Sequence, residues 1–356
     1  MEQTKVAPHR RPTRKATPLQ RNRRLQGQLL GYVLIFGMVL FIVFGFLAKD
    51  REFSDTENRA LAQKPKFSLS GLKDGSYLQG IGSYLSDQFP GRDKWMSVDL
   101  GLKKLLGQQE SGGVYLCSDD YLMQVPDAPN ETQLKRNLEA INDFAARHSD
   151  LNTVMTVAPN AVTVHADKLP ENAPVRDQRA DLQRIADALQ GVEFVDVTDA
   201  LVSHRGEYLY YRTDHHWTSR AAAYAFGEIA PAFRLTAPDL DTYQVYTVSE
   251  TFEGTLSSRS GSHESKDTVE LYIPETRIDY CVTYPDSPNP APSMYHKEAL
   301  EAKDHYTVFF GGNYSRVDIT TTADTGRSLL VFASSWSIDY TIKRNPGLEL
   351  SETAEN

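Results

Sequence analysis

The chain is expected to fold as an α/β domain, a parallel sheet flanked by helices with a β-rich insertion, preceded by one N-terminal transmembrane helix. Three observations carry this expectation. An uncharged apolar run occupies 29–48, strand and helix patterns alternate from residue 131, and a Gly-punctuated, strand-like stretch covers 250–325.

The 356 residues carry a formal net charge of −9, unevenly spread. Residues 1–28 hold Lys5, Arg10, Arg11, Arg14, Lys15, Arg21, Arg23 and Arg24 against the single acid Glu2, so the body that follows is strongly acidic. The boundary is "LLGYVLIFGMVLFIVFGFLA", 20 residues without a charge. At ~1.5 Å rise per residue this crosses a hydrocarbon core of about 30 Å. A secretory signal has a shorter apolar core and a small-residue cleavage site; here Lys49-Asp50-Arg51-Glu52 follows instead. The positive-inside rule keeps the 1–28 tail in the cytoplasm and exports the acidic body. Proximity to an anionic membrane surface accounts for the basic cluster, so no nucleic-acid partner is expected. Cys117 and Cys281 are too few for a disulfide scaffold and are either a pair or two free thiols. With no Cys-x-x-Cys, structural zinc and thiol chemistry drop out.

Residues 49–112 read as a membrane-proximal segment. Pro65 and turns around Gly71 and Gly75 interrupt it, and a short helix through Tyr84 and Leu85 ends at Phe89-Pro90-Gly91. The main domain spans 113–340. Leu134, Leu138, Ile141 and Phe144 repeat at helical spacing, "NTVMTVAP" is a β-branched run stopped by Pro159, "RADLQRIADAL" is helical, and "VEFVDV" is a buried-strand pattern. Strands alternating with helices of this length argue for a parallel sheet. "SRAAAYAFGEIAPAF" is a helix N-capped by Thr218 or Ser219. "FEGTLSSRSGS", "TVELYIPE" and "HYTVFFGGN" read as strand-like pieces with no helix. "SLLVFASSWS" returns to the buried-strand pattern, and 341–356 reads as a polar, disordered tail.

"YYRTDHHWTSRAAAYAF", residues 210–226, carries the chemistry. Asp214, His215 and His216 are competent metal ligands. Adjacent His side chains of an extended chain, however, point to opposite faces, and a metal would need distant partners such as His165 or His204. Residues i and i+2 share a face, so Asp214 and His216 can instead form a carboxylate–imidazole pair of the kind that serves a serine nucleophile. The serine would sit at the end of a buried strand, where Ser334 and Ser335 follow "LLVFA". A third reading makes Asp214 a turn cap, His216 a satisfied half-buried residue and Trp217 core.

Taken together, "TENRALAQKPKFS", "YLSDQFPGRDKW", "TVAPNAVTVHADKLP", the 210–226 stretch, "FEGTLSSRSG", "FFGGN" and "GRSLLVFASS" resemble the DHHW-type proteins, relatives of the alginate O-acetyltransferases in the SGNH-hydrolase-like group. The resemblance covers roughly residues 50–336. It implies an SGNH-hydrolase-like sheet, no metal or other cofactor, and transfer or hydrolysis of an acyl group, in the first instance acetyl, on a bacterial cell-envelope glycan. The implied partners are that glycan, the membrane and a membrane acyl-donor protein. Ser335, or Ser334 in the adjacent register, falls on the nucleophile, His216 on the general base and Asp214 on its orienter. Asn313 of the Gly312-Asn313 element would stabilise the oxyanion, and His215, Trp217 and Arg259 would line the site.

Two departures accompany the resemblance. Ser334 stands where the family pattern has Asp, and the family continues after the nucleophile with a helix and a strand, where this chain has a mostly polar stretch. A sheet truncated at its C-terminal side is therefore expected. The alternative function is a non-catalytic envelope protein of the same fold that binds glycan or partner proteins.

Overall fold

The computed structural model describes residues 18–47, 49–54, 59–124, 127–237, 239–276, 278–285, 287, 289–323 and 326–332. The chain divides into two compact units, one of Met1–Phe53 and Ala60–Arg92, the other of Ser54–Arg59 and Asp93–Asn356.

In the first unit, α1 (Pro18–Leu47) is a 30-residue helix. Its described large apolar side chains are exposed. Among the described residues no helix is long and apolar enough to cross a membrane; the side chains at 41, 42, 44, 46 and 47 of α1 lie outside them. Ser68 caps α2 (Leu69–Asp74) by accepting from Gly71 N–H, and Gly75 ends that helix with a left-handed φ of 83°. The expected helix through Tyr84 and Leu85 is α3 (Ser76–Asp87). The two-residue strands β1 (Phe53–Ser54) and β2 (Arg59–Ala60) flank the passage between units.

From Asp93 on, the second unit carries α4 (Arg92–Leu105, its first residue in the first unit) and a three-stranded antiparallel sheet, β3 (Glu110–Ser111), β4 (Val114–Leu116) and β5 (Leu122–Gln124). The alternating region follows as read. α5 (Glu131–Arg147) is capped by Asn130, α7 (Gln178–Ala188) is capped by Asp177, and β6 (Val154–Met155) pairs in parallel with β7 (Glu193–Phe194). The parallel sheet is thus a single short pair among the described residues. α6 (Ala161–Val164), α8 (Thr198–Ser203) and α9 (Ser219–Ile229) complete this half, α9 starting at a Thr218 side chain that accepts from Ala221 N–H.

The β-rich region is a long antiparallel hairpin, β8 (Tyr243–Phe252) with β9 (Asp267–Pro274), and a second pair, β10 (Tyr280–Thr283) with β11 (Asp318–Thr321). Three expectations need correction. Thr255–Ser260 is a helix, α10, rather than strand-like, because Leu256 is buried and Gly261 terminates the turn with a φ of 77°. His305–Val308 is a 3-10 turn capped by the Asp304 side chain, and the positive φ of Phe310, Gly311 and Gly312 after it excludes a strand. Residues 328–332 form no strand, and Leu330 and Phe332 are exposed; no neighbouring strand is bonded to them among the described residues. The tail at 341–356 lies outside the described residues.

The core is built as separate clusters. One gathers Met123, Val162, Val164, Leu201, Tyr210 and Trp217 between β5, α6, α8 and α9. Another gathers Tyr211, Phe252, Val269, Leu271 and Val308. Successive tyrosines, 210 and 211, therefore enter different clusters, as the alternation of an extended chain dictates. The segment carrying Asp214 is held between them.

Candidate active site

The Asp-His-His-Trp segment forms a tight loop. Tyr210 and Trp217 face each other in an antiparallel bridge. Tyr211 N–H donates to His216 O at 3.2 Å, and Thr218 N–H donates to Leu209 O at 2.8 Å. The intervening backbone is tied down from outside. Asp267, fully buried at the start of β9, accepts from Arg212 N–H (2.6 Å), Thr213 N–H (2.7 Å), Thr213 Oγ1 (2.5 Å) and Tyr208 OH (2.5 Å). Burial pushes the Asp267 carboxyl up despite these four donors. Thr213 O accepts from Leu256 and Ser257 N–H at the start of α10, and Leu122 N–H of β5 donates to Arg212 O. A loop that would otherwise bury unpaired peptide groups is thus satisfied by three elements.

Within that frame Asp214 is 2 % exposed. Its Oδ1 accepts from His216 Nδ1–H at 2.5 Å and from His216 N–H at 3.0 Å. Its Oδ2 accepts from Thr255 N–H at 2.7 Å and Thr255 Oγ1 at 3.0 Å. Burial alone would raise the Asp214 carboxyl, but the hydrogen bond and charge of His216, the charge of His215 and the Thr255 amide outweigh it and hold the pKa well below the usual carboxylate range. Gly254 makes this close approach possible. A Cβ there would collide with the Asp214 carboxylate.

The hydrogen-bond network assigns both histidine tautomers. The ionised Asp214 accepts a hydrogen bond from His216 Nδ1–H, so the ring proton stays on Nδ1 and the basic lone pair is on Nε2. Thr255 Oγ1 spends its proton on Asp214, so it accepts at 2.8 Å from His215 Nδ1–H. The two imidazoles lie 4.0 Å apart, and Tyr306 stacks on the His216 ring at 4.3 Å and 11°. Tyr306 belongs to the 3-10 turn, which is fastened to β8 by Ser249 Oγ and His305 Nδ1 at 2.6 Å. Asp304, at the cap of that turn, has its pKa raised by burial and then by the charge of Asp214.

The structure thus brings together Asp214, His216 and His215, and adds Thr255, Gly254 and Tyr306, which sequence reading had not singled out. The adjacent Gly254-Thr255 pair opening the helix of "EGTLSS" was the available signal. Trp217 packs in the first core cluster. Asn313 is an exposed residue beyond the Phe310–Gly312 turn. Arg259 binds Gly112 O at 2.8 Å. Ser334 and Ser335 lie outside the described residues.

The ligating atoms of Asp214, His215 and His216 lie within 4.8 Å of one another, yet both carboxylate oxygens already accept protein donors. Of the distant ligands a metal would need, His165 is packed into the core among the rings of Tyr121 and Tyr210, and His204 already bonds Glu207 at 3.0 Å and stacks on Tyr224. Cys117 and Cys281 are both free, and burial pushes the Cys117 thiol up to about 12.

This buried carboxylate–imidazole pair lies inside a recognisable sequence region. The family described as SGNH hydrolase-like domain, acetyltransferase AlgX, matches residues 115–318, more than half of the chain. The chain belongs to this family.

The AlgX-type domain therefore contains Asp214, His216, Thr255 and Tyr306, while Ser335 follows the matched residues. No curated protein matches the chain. Among solved structures, a DHHW family protein from Eubacterium siraeum is similar at 27 % identity and a TM-score of 0.53, over 62 % of this chain and 75 % of that one. Bacillus cereus PatB1 with a sulfonyl adduct is similar at 14 % identity and a TM-score of 0.46, over 57 % of this chain and 72 % of that one. The O-acetyltransferase domain of Pseudomonas putida AlgJ is similar at 20 % identity and a TM-score of 0.36, over 47 % and 67 %. The fold is the SGNH-hydrolase-like α/β fold expected.

Proposed function

We propose that the chain is a membrane-anchored, extracytoplasmic O-acyltransferase or esterase that moves acetyl groups on a cell-envelope polysaccharide. The observation that carries this reading is the 2.5 Å bond from His216 to a buried, ionised Asp214 inside an AlgX-type acetyltransferase domain. Ser335 Oγ attacks the acyl carbonyl while His216 Nε2 takes its proton, and Asp214 stabilises the imidazolium. Collapse of the tetrahedral intermediate expels the leaving oxygen, which receives that proton from His216, and leaves acyl-Ser335. Water or a sugar hydroxyl then accepts the acyl group by the reverse proton path. The Asn313 amide would donate to the oxyanion, a contact worth roughly 3–4 kcal/mol. α1 with its uncharged 29–48 run is the anchor, the basic 1–28 segment stays cytoplasmic, and a membrane acyl donor supplies the domain from the bilayer side.

The test uses the full chain in detergent, a serine-reactive fluorophosphonate and a chromogenic acetyl ester. The expected adduct maps to Ser335 and disappears in His216→Ala; both His216→Ala and Ser335→Ala lose turnover. Wild-type turnover by both variants overturns the mechanism. A second reading, a non-catalytic glycan-binding module, is favoured by Ser334 standing where the family pattern has Asp. A demonstrably folded chain that takes no label and turns over no ester would select it.

A further inference from the structure

α4 is apolar on two faces, and only one of them is used by the fold. Its inner face carries Leu100, 6 % exposed, and Met96, which packs against Gly261, with Lys104 paired to Glu264. Its outer face carries Trp95, Val98, Leu102, Leu105 and Leu106, exposed by 54, 51, 55, 82 and 76 %. Leu106 continues the helical turn through its N–H bond to Leu102 O. At 3.6 residues per turn these five fall within an arc of about 100°. Asp99 at one edge of the stripe is neutralised by Lys103 at 2.7 Å, and Lys94 is exposed at the other.

The position of this face along the chain is the second observation. Among the described residues, six further large apolar side chains are exposed between Phe67 and Phe89, whereas between 107 and 323 only Leu151, Val245, Tyr246 and Ile278 are. Exposed apolar surface is thus concentrated directly after the anchor segment. The stripe offers on the order of 600 Å², at the upper end of what a monomer leaves bare and below the ~800 Å² per partner of a stable protein interface. Residues 338–356 are mostly polar and make a poor cover.

We propose that the outer face of α4 lies on the membrane, its apolar stripe set among the acyl chains just beneath the headgroups. Helices of this kind bury ~5–10 Å into the interface, and a tryptophan suits the boundary. The inference rests on the anchor reading above. Its consequence is that the catalytic domain is held against the bilayer surface by α4 as well as by α1.

The full chain is reconstituted in phosphatidylcholine vesicles with and without brominated acyl chains, and wild type is compared with Trp95→Phe. Trp95 is exposed, so the Phe variant folds. The expected result is that the difference in emission between the two proteins, present in ordinary lipid, is largely lost in brominated lipid. A chain that floats with the vesicles but keeps that difference overturns the docking and leaves the anchor standing. A chain that does not float overturns the anchor and the docking with it. Unquenched Trp95 together with disulfide cross-linking of Leu102→Cys copies makes the face a self-interface and overturns the lipid assignment.

Discussion

Thr255 does two jobs with one hydroxyl, donating to Asp214 and accepting from His215, and Gly254 beside it leaves room for the carboxylate. Two predictions belong here. Asp214→Asn keeps the shape but removes the charge that orients His216; kcat on an acetyl ester is expected to fall by about 10²–10⁴. The thermal midpoint at neutral pH is expected to drop, because the stabilisation tied to the depressed carboxyl pKa goes with the charge. Gly254→Ala drives a methyl into the carboxylate; its expected cost is a loss of turnover comparable to Asp214→Asn, with a lowered midpoint as well. Kinetics and a thermal melt on each variant check both. The pairing of Asp214 with His216 was legible in the two-residue spacing, but the geometry differs from the extended chain expected. Residues 212–216 are a run of bends, and the His215 ring lies 4.0 Å from the His216 ring instead of on the opposite face. Gly254, Thr255 and Tyr306 were not legible, since their distance from the dyad is set by tertiary packing across 40 residues or more, as with the Thr255 bond at a separation of 41.

At the scale of elements, the helices that depend on local signals were readable. α5, α7 and α9 follow their apolar spacing and their caps, Asn130, Asp177 and Thr218. Thr218→Ala should cost about 1 kcal/mol, measured by chemical denaturation. The misread pieces were short and were decided by packing: α10 by burial of Leu256, the 305–308 turn by the Asp304 cap and positive φ values after it. β-branched and aromatic content alone cannot distinguish such turns from strands. Asp267 shows the same limit. Nothing in "SKDTVELYIP" marks it, yet it accepts four hydrogen bonds for the 208–213 segment. Asp267→Ala leaves those buried donors without an acceptor and is expected to destabilise by about 4 kcal/mol or more.

Across the whole molecule, two buried groups lower stability in acid, while the raised carboxyls of Asp267 and Asp304 work in the opposite direction. His165 is fully buried, neither ring nitrogen has a hydrogen-bond partner among the described residues, and burial holds its pKa near 4 against an ordinary 6.5. Because the unfolded chain takes the proton first, stability is intact above pH ~6.5 and declines as pH falls toward 4, by about 3 kcal/mol in all. His165→Phe is expected to flatten that slope, measured as unfolding free energy between pH 4.5 and 7.5. Asp214 acts lower still. Its depressed pKa contributes stability above about pH 4 that is lost on further acidification, and Asp214→Asn removes that part. The loop bearing Asp214 is clasped between a cluster that holds Tyr210 and one that holds Tyr211. Its bonds to Asp267 and Thr255 reach 41 to 55 residues along the chain, so the dyad is complete only where the β8–β9 hairpin and α10 are in place. On the proposed activity, ester turnover would count correctly assembled molecules, and a library of variants selected on it would be screened for fold integrity at no extra step.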